Sequence, residues 1–598
     1  MTKKKKKNYK SFEPVYKEHS AHPATKQPRP INFSPADDPL KWWVFVLLFV
    51  AGIIFYFDAF NNGFIWDDEM VITPNLYIRN WSHIGEIFLT DIHHFGLDKS
   101  NFYRPLQAVS YMVDYAFWQL NPMGYHISSA IIHIINSYLI FLVLSSALGF
   151  VDQKNQPQVS RIAAACSLVW LVHPIHTQVV TYAAGRADQL VTMFMLLAIY
   201  SFIICKKCWW SVIFFICSLL SKEYGVITPG FIILVNCFGL TKNKASLTRK
   251  LIPYGVILGV YILLRMTVLN FPTDFNADLI PGLFERMLTS SMAVVNLFQL
   301  LYFPFDLSMD RNIEWQKTIW DMKVILSIGS ILLSTFLILK YKNKFPVILF
   351  GFVWFCIGYF PFANVIPMNA NVSEHWMYMP SVGILIISFY LLSNILNKFH
   401  RNIYYGLIFI LAIYFGSILI HRNKDFRNEI VFYNQILKRQ YKNARVHYNL
   451  GCAYFYAGQE DESYKHLLEA IRFKPDYAAA YGNLGQLEFR KGNVDKAIQL
   501  YEKANEIKPD LVENRANLGL AYINKNRIQD GIEQLQKALS LNPQHVAALN
   551  NMGIAYGSIG EYEKAGKYFN YALSIAPDDL SARNNLAHLH KLKNQKLK

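Results

Sequence analysis

Three consecutive carboxylates, Asp67, Asp68 and Glu69, follow an apolar run in the stretch GFIWDDEMVI. Adjacent carboxylates raise one another's pKa, so Asp67 and Asp68 need not titrate independently. Phe64 and Trp66 place them at a membrane interface, where a lipid-linked substrate would present its headgroup. A second polar group lies in LVHPIHTQVVTYAAGRADQL, with His173, His176, Arg186 and Asp188 close to apolar helix ends. Ionisable groups at membrane depth are costly and mark sites. The H-x-x-H could suggest zinc, but Pro174 breaks the local helix and no third ligand is specified, so no metal site is assigned. Further pairs are Lys222 and Glu223 in SKEYG, Glu285 and Arg286 in FERML, and Glu374 and His375 in NVSEHWMYMPS. Each reads equally well as a buried ion pair of a helical bundle; for the Asp67 loop, plain solvated charge is the weaker reading. Together they supply both acids and cations.

The elements that must carry these residues follow from composition. The chain has 598 residues, of which 53% are hydrophobic and only 17% charged, against ~25% charged in soluble domains. It is therefore a membrane protein at least in part. The net charge of +17 gathers at the N-terminus and in short loops, which is membrane topology and not a nucleic-acid footprint. Residues 1–41 read as a basic, disordered cytosolic tail, and residues 42–60 as a retained anchor that carries Asp67 to the far side. Apolar segments follow at 127–148, 162–179, 190–205, 209–220, 226–240, 251–269, 287–305, 324–339, 346–362, 378–396 and 404–420. Basic residues at 154–161, 206–207, 242–250, 340–344 and 398–401 share one side only if 287–305 makes no net crossing, leaving about 11 crossings. That odd count puts the C-terminus on the side of Asp67, opposite the tail. Arg104 then falls in a far-side loop of about sixty residues between the first two spans. The seven cysteines lie mostly in apolar stretches without framework spacing, so disulfides are not expected to hold the fold. Cys205 and Cys208 flank two lysines at a turn, where C-x-x-C arises by chance.

Beyond Ile420 the composition turns soluble and repetitive. Pro475, Pro509, Pro543 and Pro577 recur every 34 residues, as do Ala470, Ala504, Ala538 and Ala572, and the pairs Leu450-Gly451, Leu484-Gly485, Leu518-Gly519 and Met552-Gly553. This is the period of the tetratricopeptide repeat. The fold class is all-α: a polytopic transmembrane bundle (42–421), a connecting helix (422–443) and a repeat solenoid (444–598) of four repeats and an end helix. Such a solenoid offers a groove for extended polypeptide, which is binding and not chemistry.

The ordered set FIWDDEMVITPN, YRPL, NPMGYHISSAIIHIIN, HPIHTQVVTYAAGRADQL, SKEYG, PFANVIP and EHWMYMPSVG, ahead of the repeats, resembles the transmembrane and tetratricopeptide-repeat-containing protein O-mannosyltransferases. More broadly it is similar to the C-type glycosyltransferases that use polyprenyl-phosphate sugars. His375 stands where that family more often has arginine, and the short repeat array fits a prokaryotic relative and its cell membrane. The resemblance implies inverting transfer of a sugar, mannose first, from a polyprenyl-phosphate carrier to a serine or threonine hydroxyl. A hydroxyl is a weak nucleophile, so a carboxylate must accept its proton; Asp67 is the expected base and Asp68 orients the acceptor or shares the role. Arg104, Arg186, Lys222, Arg286 and His375 are candidates for stabilising the departing lipid phosphate, with Arg104 and Arg186 foremost; His173, His176, Asp188, Glu223 and Glu374 complete the candidate substrate-binding set. The carrier holds the sugar in an activated bond, so no separate cofactor is called for, and the chain shows no P-loop or Rossmann glycine pattern. Expected partners are the lipid-linked sugar, membrane lipid and an acceptor polypeptide in the repeat groove. The competing readings are a membrane-anchored scaffold that performs no chemistry, and an enzyme with a glycan or lipid acceptor.

Overall fold

The computed structural model describes, from residue 39 onward, residues 39–92, 101–152, 156–205, 209–240, 244–271, 281–311, 313–368, 370–396 and 401–596. Residues 3–38 of the basic tail, Cys208 and the loop residues Lys154, Lys206, Lys207, Lys242 and Lys398 lie outside these residues.

The described chain is helical. Its principal helices are α1 (Pro39–Tyr56), α2 (Pro105–Trp118), α3 (Pro122–Val151), α4 (Gln156–Val172), α5 (Arg186–Ile204), α6 (Trp209–Ser221), α7 (Thr228–Val235), α8 (Lys244–Met266), α9 (Leu283–Tyr302), α10 (Met322–Lys340), α11 (Pro346–Tyr359), α12 (Ser381–Leu396) and α13 (Arg401–Asn423). Then come the connecting helix α14 (Glu429–Leu437), the repeat hairpins α15 (Ala444–Tyr456) and α16 (Glu460–Phe473), α17 (Ala478–Arg490) and α18 (Val494–Ile507), α19 (Val512–Asn524) and α20 (Ile528–Leu541), α21 (Val546–Ser558) and α22 (Tyr562–Ile575), and the end helix α23 (Leu580–Lys596). Proline opens α2, α3 and α11 at the first turn, where its missing N–H costs nothing.

Six helices are long and apolar enough to span a bilayer, and seven if the pair Pro157–Val172 and Pro174–Val180, bent by 53°, is one span. The bend falls at His173-Pro174, where proline cannot continue the helix. Four shorter apolar helices, Trp209–Ser221, Glu223–Phe238, Pro346–Phe362 and Ser381–Leu396, join them. The expected eleven crossings are thus reached only when all four also cross; α9 is in neither group. A 13-residue helix is about 20 Å long against a hydrocarbon core of ~30 Å, so the shortest of them does not span it by length alone. The chain is a multi-pass helical membrane protein with a repeat domain attached.

One apolar core runs through the bundle, from Leu48 on α1 to Leu419 on α13, with Trp170 and Trp354 fully buried. After α9 the chain doubles back beside it. The Gln316 amide donates to Thr289 Oγ1 at 2.9 Å and the Ile313 amide to Asn371 Oδ1 at 3.1 Å.

The repeats close as their period demands. Ala470, Ala504, Ala538 and Ala572 are all fully buried between helices. A methyl group at Gly451, Gly485 or Gly519 would meet Leu467, Tyr501 or Leu535 of the paired helix at 2.8, 2.8 and 2.7 Å, and one at Gly553 would run into Phe569, so glycine sets how closely the two helices approach. The six described cysteines are free.

The repeats do not hang from a loose linker. Phe426, Phe432, Tyr433, Ile436 and Leu437 bury themselves with Ile65 and Tyr182 of the membrane domain on one side and Val446, Leu450 and Ala453 of the first repeat on the other.

Candidate functional site

The carboxylate loop leaves α1 through a short turn, Phe57–Asn61, and is fastened by bonds to two backbone carbonyls. Asn62 Nδ2 donates to the Asn423 carbonyl at 3.0 Å, and the Gly63 amide to the Arg427 carbonyl at 3.0 Å. The three acids then separate. Asp68 is fully buried, Asp67 half-buried and Glu69 exposed. Asp68 Oδ2 accepts the Ile65 amide at 3.2 Å and Oδ1 the Ala184 amide at 2.6 Å. Burial pushes the Asp68 carboxyl well above its ordinary range, and the amides from Ala184 and Ile65 offset only part of that. Its neighbour Asp67 is half-buried beside Tyr182, whose hydroxyl accepts the Asp67 amide at 2.9 Å and also meets its carboxylate.

Ala184 belongs to the turn Ala183–Gly185 that opens α5. Two residues on, Arg186 points inward and is spent: its guanidinium donates to Asp114 Oδ2 at 2.6 Å, to the Tyr125 carbonyl at 2.7 Å and to Ser129 Oγ at 3.2 Å, at 1% exposure. That pair pins α2 and α3 to α5. One turn beyond Ala184, Asp188 faces the other way and accepts from Lys222 Nζ at 2.7 Å. Lys222 stands in extended conformation just past the end of α6. Arg104, immediately before Pro105, reaches Glu223 Oε2 at 3.4 Å and lies over the Phe102 ring at 4.4 Å. Glu223 Oε1 is buried and has no partner. His375 completes the cluster, close enough to Asp188, Lys222 and Arg104 for each to act on its charge, with Nδ1 2.7 Å from Ser373 Oγ. Burial, opposed by Asp188, brings its pKa down to about 4. The structure thus gathers Arg104, Asp188, Lys222, Glu223 and His375 from four separated stretches of sequence, with Asp188 one helical turn beyond the Ala184 amide that holds Asp68.

The other candidates lie elsewhere. His173 Nδ1 accepts the Ile175 amide at 3.1 Å, so Nε2 carries the proton, 2.7 Å from the Leu301 carbonyl. His176 Nδ1 lies 2.9 Å from the Trp170 carbonyl and Nε2 3.2 Å from Ser381 Oγ. Both are fully buried in the bundle and hold its bent span. Arg286 donates to the Asn364 and Val365 carbonyls at 3.1 and 3.2 Å. Glu374 is fully buried, with Oε2 2.9 Å from Arg422 and Oε1 accepting the Ser308 amide; burial raises its pKa and Arg422 opposes the rise. Among the described residues no group of three or more His, Cys, Asp or Glu side chains forms a metal-binding cluster. Tyr182, Asp114 and Arg422 were missed by sequence reasoning. Tyr182 sits inside a quoted motif, but nothing in its spacing marks a hydroxyl beside an acid 115 residues away.

Comparison with known proteins adds lineage to this geometry. A tetratricopeptide-repeat family model matches residues 448–511 and 517–579. A Caenorhabditis elegans protein O-mannosyl-transferase, F38B6.6, is 25% identical over 77% of this chain and 67% of its own length. Human protein O-mannosyl-transferase TMTC3 is 23% identical over 71% of this chain and 51% of its own, and human TMTC4 24% identical over 69% and 63%. The chain therefore spans between half and two thirds of the length of these relatives. Over about 70% of its residues, the chain is a homologue of the proteins named protein O-mannosyl-transferases.

Proposed function

We propose that the protein is an integral-membrane glycosyltransferase that moves a sugar, mannose first, from a polyprenyl-phosphate carrier to serine or threonine hydroxyls of a polypeptide held by the repeats. The observation that carries this reading is the bond between Asp68 and Ala184. It ties the carboxylate loop to the start of α5, whose next turn holds Asp188 against Lys222 beside Arg104, Glu223 and His375. An acid on one side and a cationic cluster on the other suit a displacement in which a proton is removed and an anion departs.

In that displacement Asp67 accepts the proton of the acceptor hydroxyl as its oxygen bonds to the anomeric carbon. The bond from that carbon to the phosphate oxygen breaks, its electron pair leaves with the lipid phosphate, and the configuration inverts. Arg104 and Lys222 face the charge gathering on the phosphate; the buried, unpartnered Glu223 Oε1 suits a sugar hydroxyl as donor. Asp68, buried and bonded, holds the loop. Arg186 holds the helices.

Presentation of the acceptor by the repeats is supported by the packing of α14 and the first repeat on Ile65 and Trp66 of the Asp67 loop. On the first helix of each hairpin and on α23, Asn449, Asn483, Asn517, Asn551 and Asn585 recur every 34 residues. Asn483 Nδ2 reaches Cys452 Sγ at 3.1 Å and Asn551 Nδ2 the Ala516 carbonyl at 3.2 Å, so they line the seam between successive first helices. Amide side chains match polypeptide backbone in any sequence. Contact between the first repeat and Ile65 and Trp66 of the Asp67 loop also supports placing both on one side of the membrane, opposite the basic tail. That parity agrees with α9 making no net crossing: Arg286 in its first turn and Ser308 beyond its end both reach the segment 364–374.

The test is transfer of labelled sugar from polyprenyl-phosphate-mannose to peptide by membranes carrying wild type or Asp67→Asn at matched expression. Loss in the variant supports the reading. Absence of transfer by wild type across several donors and acceptors returns the chain to a scaffold.

A further inference from the structure

Trp66 directly precedes Asp67 and has φ +50°, in the left-handed region. Side chains with a Cβ are disfavoured there, bulky ones most, and such a residue persists only where its surroundings over-determine it. Among the described residues the other non-glycine positions with positive φ are a glutamine and two asparagines, Gln119, Asn364 and Asn526, types that are polar and compact beside an indole. Trp66 is therefore the position that most needs external support.

Its support comes from the repeat side. The indole meets the Phe432 ring edge-on at 5.5 Å and the Tyr433 ring at 5.8 Å, both on α14. The Arg445 guanidinium, on α15, lies over the indole at 5.0 Å and is itself held by Asp310 at 2.9 Å. The Trp66 amide is directed to the Glu429 carboxylate at the start of α14. A tryptophan acting as an interfacial anchor would turn its ring to lipid; this one packs against three side chains of the connecting helix and first repeat.

We propose that Trp66 is a positioning residue for Asp67: its left-handed backbone turns the chain so that Asp67 faces outward while Asp68 turns into the protein, and the cage from α14 and α15 holds that backbone. Docking of the repeats then sets the geometry of the acid that the proposed reaction uses, an inference that rests on the glycosyltransferase reading for its consequence but not for its structural content. Removing the cage loosens the loop without touching Asp67, Asp68 or the cationic cluster. A glycine at position 66 accepts φ +50° freely, whereas alanine resists it and builds no cage.

Two measurements on the full-length protein test this. Hydrogen–deuterium exchange over residues 61–72 is compared in wild type, Arg445→Ala and Phe432→Ala, with residues 512–558 as an internal control. The expected result is exchange faster by about tenfold in the loop and unchanged in the control; Arg445 is a surface side chain, so its loss does not endanger folding. Transfer is then compared in Trp66→Phe, Trp66→Gly and Trp66→Ala. Phenylalanine should retain most turnover, and glycine should exceed alanine, the losses falling in kcat with the donor KM little changed. Loop exchange unaffected in both cage variants, or full turnover in Trp66→Ala, overturns the proposal. If wild type transfers no sugar at all, the glycosyltransferase reading fails, and the exchange data alone decide whether the cage holds the loop.

Discussion

Asp68 Oδ1 accepts the Ala184 amide at 2.6 Å across 116 residues of sequence, and this one bond separates the duties of two adjacent acids. Asp68 is buried with both oxygens committed to backbone amides, while Asp67 is half-buried beside the Tyr182 hydroxyl. Environments that push neighbouring carboxyls apart assign their roles.

The first expectation follows from that division. Asp67→Asn should cut transfer by about 10²–10⁴-fold, the usual worth of a general base, with no change in melting temperature. Asp68→Ala strands two buried amides and should cost about 1–3 kcal/mol of stability. Melting curves in detergent beside initial rates separate the two effects.

Arg186 and Asp114, at 1% and 5% side-chain exposure and 2.6 Å apart, form a buried pair. Removing either partner alone should destabilise the bundle by about 3–5 kcal/mol, whereas Arg186→Met with Asp114→Leu together should recover much of the loss. A thermal-unfolding double-mutant cycle checks this. Donor affinity should follow stability in these variants and not fall beyond it.

Arg104 and Lys222 have a different expectation. Arg104→Ala should raise the donor KM by about tenfold, and Arg104→Lys should recover only part, since lysine lacks the planar fork that grips phosphate. Lys222→Ala also leaves Asp188 without its 2.7 Å partner, so its effect should be the larger. Competition by a polyprenyl phosphate without sugar reads the same contacts independently of turnover.

His375 supplies a pH test. Its pKa falls from an ordinary 6.5 to about 4 because burial disfavours the imidazolium. Between those values the unfolded chain takes up a proton that the folded one refuses, so stability is fully present above 6.5 and is lost as pH falls toward about 4. His375→Gln should flatten this dependence over that window in melting curves recorded at each pH. A steep loss that persists in the variant would assign the effect to other groups.

The repeat domain was legible in the sequence because its physics is local and periodic. Each small residue at spacing 34 is a helix contact made to the next helix along, so Ala470 or Gly451 announces its packing without knowledge of the rest of the chain. The helical class of the membrane half was legible for a related reason: backbone polar groups in lipid must be satisfied within each segment, which forces long apolar runs.

What sequence by itself determined, then, was which residues can be ionised near membrane depth and that Asp67 emerges from the first apolar run. Only the tertiary structure decided how they pair. Arg186 and Asp188 are two residues apart, yet helical geometry turns the first inward to Asp114 and the second toward Lys222. His173 and His176 look as reactive on paper as His375, but neighbouring carbonyls take up the first two and the third joins the charged cluster. The seating of the first repeat on Trp66 was equally invisible, because it joins side chains more than 360 residues apart in the chain. Periodicity encodes contacts between neighbours in sequence; partners of buried charges are set by long-range packing, which spacing does not encode.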